Sequence, residues 1–253
     1  WHIRAIVKNQ YGSIAQSNPL RVFIDTTSPQ QPNRINLISS SDSGDSNEDN
    51  ITNDSTPSFN ISSVDSAIDW HVILMVNNVR TDSIINVDSN PINQNFNFNN
   101  DSTFNTDGEY NITSYIKDVA GNISSSSPPL ALTIDTTSPI EPGAPAMYSL
   151  DDSGWSNSDD TTSFTQPRFE ISNTVEGDSV FMKFNNIIVG RLLSSGGTIT
   201  SMPSSEQIDG TYRVHVFSRD KAGNVSALSD TNFIRIDTQA SSAPDAPDLI
   251  HTY

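Results

Sequence analysis

Residues 107–124 read DGEYNITSYIKDVAGNIS, and residues 209–226 read DGTYRVHVFSRDKAGNVS. After each Asp-Gly pair, apolar residues fall at alternate positions, as Tyr110, Ile112 and Ile116 do in the first copy. A period of two is typical of a strand with one face in the core. The pattern predicts a long strand ending in a turn at Asp-x-Ala-Gly-Asn. Its return 102 residues later indicates an internal repeat.

Two further motifs recur in the same order around this stretch. The six residues IDTTSP stand at 24–29 and again at 134–139, and a diverged copy, IDTQAS, follows at 236–241. Upstream, SDSGDSNEDNITNDSTPSFNIS at 41–62 matches DDSGWSNSDDTTSFTQPRFEIS at 151–172. Each period is close to the length of one small domain. The repeats predict the last two strands of one domain, two complete domains and the start of another, at residues 1–25, 26–135, 136–237 and 238–253.

Strand and turn signals within each complete repeat predict an all-β fold. No window of a dozen residues has a helical period, and the Asn-Asn pairs at 77–78 and 185–186 fit tight hairpins because asparagine tolerates positive φ. About seven short strands in about 100 residues predict an Ig-like sandwich of two antiparallel sheets. Proline-bearing joints and the lack of Gly-Ser-rich linkers favour tandem sandwiches arranged as a beaded rod.

Differences between the copies locate one insertion and assign strand faces. The first complete repeat is longer between Phe59 and Gly108, which predicts a longer loop or sheet edge at residues 90–100. In the opening strand, Trp1, Ile3, Ala5 and Val7 take the alternation of Tyr110 and are predicted to face a core. The histidines share no partner pattern and are predicted at the surface: His2, His71, His215 and His251.

Composition restricts the function. Among 253 residues, 30 are acidic and 13 basic, giving a net charge of −17 that disfavours nucleic acid and anionic membranes as partners and favours cations. The absence of cysteine excludes disulfides and thiolate sites, and no apolar run is long enough to span a membrane. No nucleophile elbow, phosphate loop or HExxH motif occurs, so the sequence predicts no enzyme.

Four motifs in one order, DSG…D…T…P-x-F, DG-x-Y, D-x-AGN-x-S and IDTTSP, resemble the tandem bacterial Ig-like repeats of large secreted or surface-bound adhesins. The resemblance covers essentially the whole chain and implies a structural role outside the cell. Three departures stand out: Ser28 and Ser138 replace the usual alanine, Asn9 replaces an aspartate, and the third linker diverges after Thr238.

The predicted topology gathers aspartates at the joints between domains. In such a sandwich the DSG loop and the DG turn lie beside the exit of the last strand, and the D-x-AGN turn of the next domain meets them. The joint between the complete repeats would collect Asp42, Asp45, Asp49, Asp107, Asp135 and Asp220. The following joint would collect Asp151, Asp152, Asp159, Asp160, Asp209 and Asp237. The first joint would hold Asp25 and Asp118.

Oxygen-only ligands with glycine-bearing turns suit Ca²⁺, so these aspartates are predicted to bind calcium between domains. The family resemblance also implies calcium at the joints. The alternative is that Asp, Ser, Gly and Asn simply form solvated turns. A single-loop EF-hand is disfavoured because the glycine of DSGDSNEDN stands third instead of sixth and no helices are predicted to flank the loop.

Other features leave binding functions open. Trp155 in the DSGWSNSDD loop, or Phe96 and Phe98 in the insertion, could contact a glycan or protein receptor, although packing at a joint or on an edge strand is the preferred interpretation for these aromatics. Residues 1–29 supply two strands, which either belong to a longer array or complete another copy by β-strand addition.

The sequence therefore predicts a spacer segment of an extracellular or cell-surface adhesin, with Ca²⁺ stiffening the joints between neighbouring repeats. The alternatives are a glycan- or protein-binding module and a subunit that self-assembles into a fibre or biofilm matrix.

Overall fold

We describe the protein from a computed structural model, which covers residues 1–63, 67–89, 92–97 and 103–242. These residues form strands, turns and loops, and the all-β prediction is confirmed. The chain divides into two compact units: Trp1–Ser43 with Asn47–Asp135, and Gly44–Ser46 with Thr136–Tyr253. In the described part of the chain, no helix has the length and apolar character needed to cross a bilayer.

The opening segment forms two small antiparallel sheets. Strand β1 (His2–Ile3) pairs with β4 (Leu20–Arg21), and β2 (Ile6–Lys8) pairs with β3 (Ile14–Gln16). The predicted core positions of this segment are exposed: Trp1 by 80% and Ile3 by 56%, together with Ala5 and Val7. No second layer covers this face in the described residues, so its assignment to a core stays a prediction.

The described residues of the first complete repeat form a sandwich of eight strands. One sheet has the order β10-β7-β5 and the other the order β6-β12-β11-β8-β9. The strands are β5 (Asn36–Leu37), β6 (Ile51–Thr52), β7 (Ser58–Ser63), β8 (Ala67–Val76), β9 (Val79–Ser89), β10 (Ile92–Asn97), β11 (Gly108–Lys117) and β12 (Leu130–Ile134).

The second complete repeat has the same arrangement. Its sheets have the orders β13-β15-β18 and β14-β20-β19-β16-β17. The strands are β13 (Ala146–Met147), β14 (Thr161–Thr162), β15 (Phe169–Thr174), β16 (Ser179–Phe184), β17 (Ile187–Leu193), β18 (Gly197–Ser201), β19 (Gly210–Arg219) and β20 (Asn232–Ile236).

The period of two in the long strands explains the two cores. Ile112 and Ile116 of β11, and Val214 and Val216 of β19, are fully buried, as predicted. Each core contains a central phenylalanine pair with ring centroids 5.9 Å apart, Phe59 with Phe104 in the first repeat and Phe169 with Phe184 in the second. Two separate clusters of buried apolar residues result, one per repeat.

Two motifs act through side-chain hydrogen bonds to the backbone. In DG-x-Y, the hydroxyl of Tyr110 donates to the carbonyl of Thr106 at 2.7 Å, and that of Tyr212 to Ile208 at 2.7 Å, which is a tyrosine corner. In AGN-x-S, the serine hydroxyl accepts the backbone N–H of the long strand, as Ser124 does from Ile116 at 2.9 Å. The serine thus satisfies the edge of β11 that β12 leaves unpaired beyond Ile112, while β8 pairs the other edge.

The hairpins account for much of the length difference. Asn77, Asn78, Asn185 and Asn186 all have positive φ, as predicted for tight turns. Strands β8 and β9 have 10 and 11 residues, against 6 and 7 in β16 and β17. Strand β10 forms an edge within the predicted 90–100 insertion, whereas residues 90, 91 and 98–100, including Phe98, lie outside the described residues.

The surface prediction for histidine is wrong at one position. His215 is 8% exposed, and its Nδ1 lies 3.3 Å from the hydroxyl of Thr231. The reason is its place on β19, which is flanked on both sides by β16 and β20, so neighbouring side chains cover even the outer face. His2 is exposed and His71 half-buried, and His251 lies outside the described residues.

Candidate calcium-binding loops

The acidic loop of the first repeat runs from the end of β5 to β6. Asp42 is 4% exposed, and its Oδ2 accepts the backbone N–H of Asn50 at 3.1 Å. Asn50 has φ of 59°, and Asp49 Oδ1 accepts the N–H of Ile51 at 3.1 Å. These bonds fold the loop back so that it enters β6 beside Asp42.

The second repeat builds the same loop. Asp152 is 6% exposed, and its Oδ2 accepts the N–H of Asp160 at 3.1 Å. Asp160 has φ of 56°, and Asp159 Oδ1 accepts the N–H of Thr161 at 3.1 Å. Positions 110 residues apart thus carry the same bonds.

Within the described parts of the chain, one carboxylate oxygen in each loop has no hydrogen-bond partner. Oδ1 of Asp42 and Oδ1 of Asp152 are both buried and unpaired among the described residues. A buried carboxylate oxygen without a donor is costly, and such oxygens in proteins are normally satisfied by a proton donor, water or a cation. The same atom is unpaired in both repeats, so the feature belongs to the loop itself.

The electrostatics of the first loop favour a cation. Burial raises the pKa of Asp42, and the negative charges of Asp49 and Glu48 raise it further, against the hydrogen bonds from the Asn50 and Ile51 backbone. A pKa raised by these causes means that the folded loop disfavours the ionised form of the carboxylate. A nearby positive charge would reverse that cost.

The donor set fits calcium in chemistry. Its oxygens come from carboxylates, amides, hydroxyls and backbone carbonyls, and Ca²⁺ takes 6–8 such ligands. Within the described ranges, no three Asp, Glu or His side chains are already placed to hold a metal together. The loop carbonyls and water would therefore have to complete the shell around Asp42 and Asp49, or around Asp152 and Asp159.

Asp151 has a different partner from its predicted one. Its carboxylate is paired with Arg168, with Nε to Oδ2 at 2.9 Å and Nη2 to Oδ1 at 2.6 Å, and Oδ2 also accepts the N–H of Arg168 at 2.8 Å. The Arg168 side chain lowers the pKa of Asp151. At the equivalent place in the first repeat, Ser41 Oγ accepts the N–H of Ser58 at 3.0 Å.

Asp45 is also held by arginine. Within the second unit, its carboxylate accepts a hydrogen bond from the Ser179 hydroxyl at 2.6 Å and pairs with Arg191 and Arg219. Burial acts to raise the pKa of Asp45, but the bonds from Ser179 and Arg219 lower it overall. Sequence reasoning missed these arginines because they lie 146 and 174 residues from Asp45 along the chain.

The aspartates of the D-x-AGN turns cap their own turns. Asp220 Oδ1 accepts the N–H groups of Gly223 at 2.8 Å and Asn224 at 2.9 Å. Asp118 Oδ1 accepts the N–H of Asn122 at 2.8 Å. Burial would raise the pKa of Asp118, yet hydrogen bonds from the side chain and backbone of Asn122 hold it below its usual value.

The remaining predicted ligands lie at or near the strand exits. Asp209 Oδ1 accepts the N–H and the hydroxyl of Thr238, at 3.0 and 2.8 Å, and these bonds lower its pKa. Asp237 pairs with Arg235 at 2.7 Å, and Asp25 accepts the N–H of Thr27 at 2.9 Å. Two further aspartates are exposed and half-buried, respectively: Asp107 and Asp135.

Trp155 is fully exposed at the tip of its loop. The joint that follows the second repeat lies largely outside the described residues, so packing of this ring at the joint stays a prediction. A groove of about 760 Å³ beside it is lined by hydroxyl, amide and carboxylate groups that include Asp237 and Gln239.

Comparisons with known proteins agree with this architecture. The sequence profile of the bacterial Ig-like domain matches residues 29–136 and 139–238. A comparison with curated proteins found no match.

Similar solved structures include the fibronectin(III)-like modules of Clostridium thermocellum CbhA, with 12% identity over 75% of this chain and 90% of that chain, and a TM-score of 0.45. The FN1–FN3 domains of chicken CNTN1 give 10% identity over 91% and 76%, with a TM-score of 0.48. A tetra-tandem repeat from the extending region of a large adhesion protein has 13% identity over 93% of this chain and 56% of that chain, with a TM-score of 0.30.

Domains of this class are typically non-enzymatic. With two tandem matches to one profile spanning most of its length, the chain belongs to the bacterial Ig-like domain family.

Proposed function

We propose that the chain is a spacer segment of an extracellular bacterial surface adhesin, and that Ca²⁺ bound by its acidic loops stiffens it. The observation that carries the calcium proposal is the unpaired buried oxygen that Asp42 and Asp152 share at equivalent positions. Two independent copies of one unsatisfied carboxylate favour a ligand over an accident of packing.

The end of each acidic loop is hydrogen-bonded to the last strand of its repeat, through which a force on the following linker would act. The N–H of Thr133 donates to the carbonyl of Asn50 at 2.9 Å, and the N–H of Asp135 donates to that of Thr52 at 3.0 Å. The second repeat repeats both bonds, from Arg235 to Asp160 at 2.8 Å and from Asp237 to Thr162 at 2.9 Å. Strand β6 thereby runs parallel to β12, and β14 to β20.

This arrangement links the charge of the loop to mechanical strength. A bound cation would place a positive charge beside Asp42 and Asp49. The loop carbonyls that grip β12 and β20 would then be fixed in place, and the last strand before each linker would be harder to detach. Binding to the folded form alone adds stability by mass action.

A location outside the cell fits the calcium affinity expected of such loops. Calcium sites in extracellular modules bind with dissociation constants on the order of 10⁻⁴–10⁻³ M, which suits the calcium outside cells. A strongly acidic, cysteine-free chain made of repeated small sandwiches has the composition of a solvated spacer. Neighbouring repeats of the same chain would be its main partners.

The test is a calcium titration of the full chain by isothermal calorimetry, followed by solution scattering with and without the metal. We expect two loop sites, of which Asp42→Asn removes one and Asp152→Asn the other, and a particle whose largest dimension grows when calcium is bound. Asp118→Asn is the matched control, since its carboxylate caps a turn. Heat changes that are unaffected by both loop variants would contradict the proposal.

A further inference from the structure

The first repeat contains a cleft between its three-stranded sheet and the acidic loop. The cleft measures about 760 Å³. Buried apolar residues line part of it, namely Ile35, Leu37 and Leu130. Its polar lining comprises Arg34, Asn36, Asn47, Glu48, Asn60 and Asn95.

Three of these asparagines form one row across the sheet. Asn60 of β7 is the register partner of Asn36 on β5 and of Asn95 on β10. Its Nδ2 donates to Oδ1 of Asn95 at 2.8 Å and to Oδ1 of Asn93 at 2.6 Å. The row alternates with the buried Phe59 and Ile61, so it lies on the outer face of the sheet.

The Ig-like frame does not require this row. Asparagine is disfavoured in strands, and the same row in the second repeat reads Ala146, Glu170 and Thr200. Two sandwiches of one topology therefore differ at three aligned positions of one face. The asparagines add binding chemistry that strand formation alone does not explain.

We propose that this cleft binds a neutral saccharide. Planar amides, a carboxylate and a guanidinium can each hydrogen-bond neighbouring hydroxyls of a sugar. Asp42, Glu48 and the net charge of −17 disfavour acidic sugars.

The proposed sugar site shares Asp42 and Glu48 with the proposed calcium loop, and the test keeps the two proposals apart. The ¹⁵N-labelled full chain is titrated with lactose, mannotriose, maltotetraose and chitotetraose, and with 3′-sialyllactose as the acidic probe, in chelator and again in calcium. We expect at least one neutral probe to shift the side-chain amide signals of Asn60 and Asn95 in the millimolar range, with no such shift from 3′-sialyllactose. Shifts in chelator establish sugar binding whether or not the loops bind calcium.

Paired variants decide the location. Asn60→Thr with Asn95→Thr keeps strand-forming residues and should weaken binding of the neutral probe at least about tenfold. The control, Glu170→Ala with Thr200→Ala, changes the equivalent row of the second repeat and should leave the affinity unchanged. The proposal is overturned if no neutral probe shifts these amides, or if the shifts persist in the Asn60→Thr, Asn95→Thr chain.

Discussion

Where the first repeat has Ser41 and Ser58, the second has Asp151 and Arg168. Both pairs place an oxygen on the same backbone N–H, at 3.0 Å from serine and at 2.8 Å from aspartate. The second repeat adds an ion pair on top of that bond. The backbone contact therefore belongs to the fold, and the charge is an addition by one copy.

The same comparison separates features that both repeats have from features that only one repeat has. Both repeats have the tyrosine corner, the serine bonds to the long strand and the unpaired oxygen of the acidic loop. Only one has the asparagine row, and only one exposes a tryptophan at the loop tip. Equivalent mutations of a shared feature should change the stability of the two repeats alike. Mutation of a feature that only one repeat has should affect that repeat alone.

The largest effect should come from the two cores. Phe59→Ala and Phe169→Ala each remove a fully buried ring and should cost about 3–5 kcal/mol of unfolding free energy. Calorimetry or denaturant unfolding of the full chain should show the loss in one transition for each variant. A loss under about 1 kcal/mol in either repeat would break the equivalence of the cores.

The turn aspartates should come next. Asp220→Ala leaves the N–H groups of Gly223 and Asn224 without their acceptor and should cost about 1–3 kcal/mol. Asp220→Asn should cost less, because Asn9 Oδ1 accepts two N–H groups, of Tyr11 and Ser13, in the opening segment. Denaturant unfolding of both variants measures the difference. Equal losses would mean that the negative charge, and not the acceptor, matters.

The smallest effect should come from the added ion pair. Asp151→Ser restores the chemistry of the first repeat and should cost about 1 kcal/mol, since Arg168 is 44% exposed and screened by solvent. The folded pKa of Asp151 is lowered, so its contribution is complete above the unfolded value of about 4. It should vanish as the pH falls through the folded pKa. Unfolding curves of both chains between neutral and acidic pH provide the test.

Local patterns predicted the parts of the fold that depend on local physics. The alternation in β11 and β19 identified the core faces, and Asn-Asn identified the hairpins with positive φ. Sequence reasoning missed contacts that join distant segments, such as Asp45 with Arg191. The Asp151–Arg168 ion pair did leave a signal in the sequence. Ser41 and Ser58 of the first repeat are both replaced by charged residues of opposite sign, Asp151 and Arg168, at the same spacing.

The predicted calcium ligands fall into two classes, which the sequence alone could not distinguish. Spacing alone cannot tell a carboxylate that caps a turn, such as Asp118, from one with an oxygen left over, such as Asp42. Their burial is similar, at 5% and 4%, and only the bonds to each oxygen distinguish them.

Calorimetric unfolding of the full chain, in about 5 mM Ca²⁺ and in chelator, tests the central claim most directly. For the unmodified chain, we expect calcium to raise the unfolding free energy of each repeat by about 1–2 kcal/mol, so that both transitions move to higher temperature. Asp42→Asn should abolish the rise in one transition and Asp152→Asn the rise in the other. In chelator, Asp42→Asn should be as stable as the unmodified chain or more so, because it removes a buried charge facing Asp49 and Glu48. Equal transitions in calcium and chelator, or a calcium effect that survives both substitutions, would contradict the account.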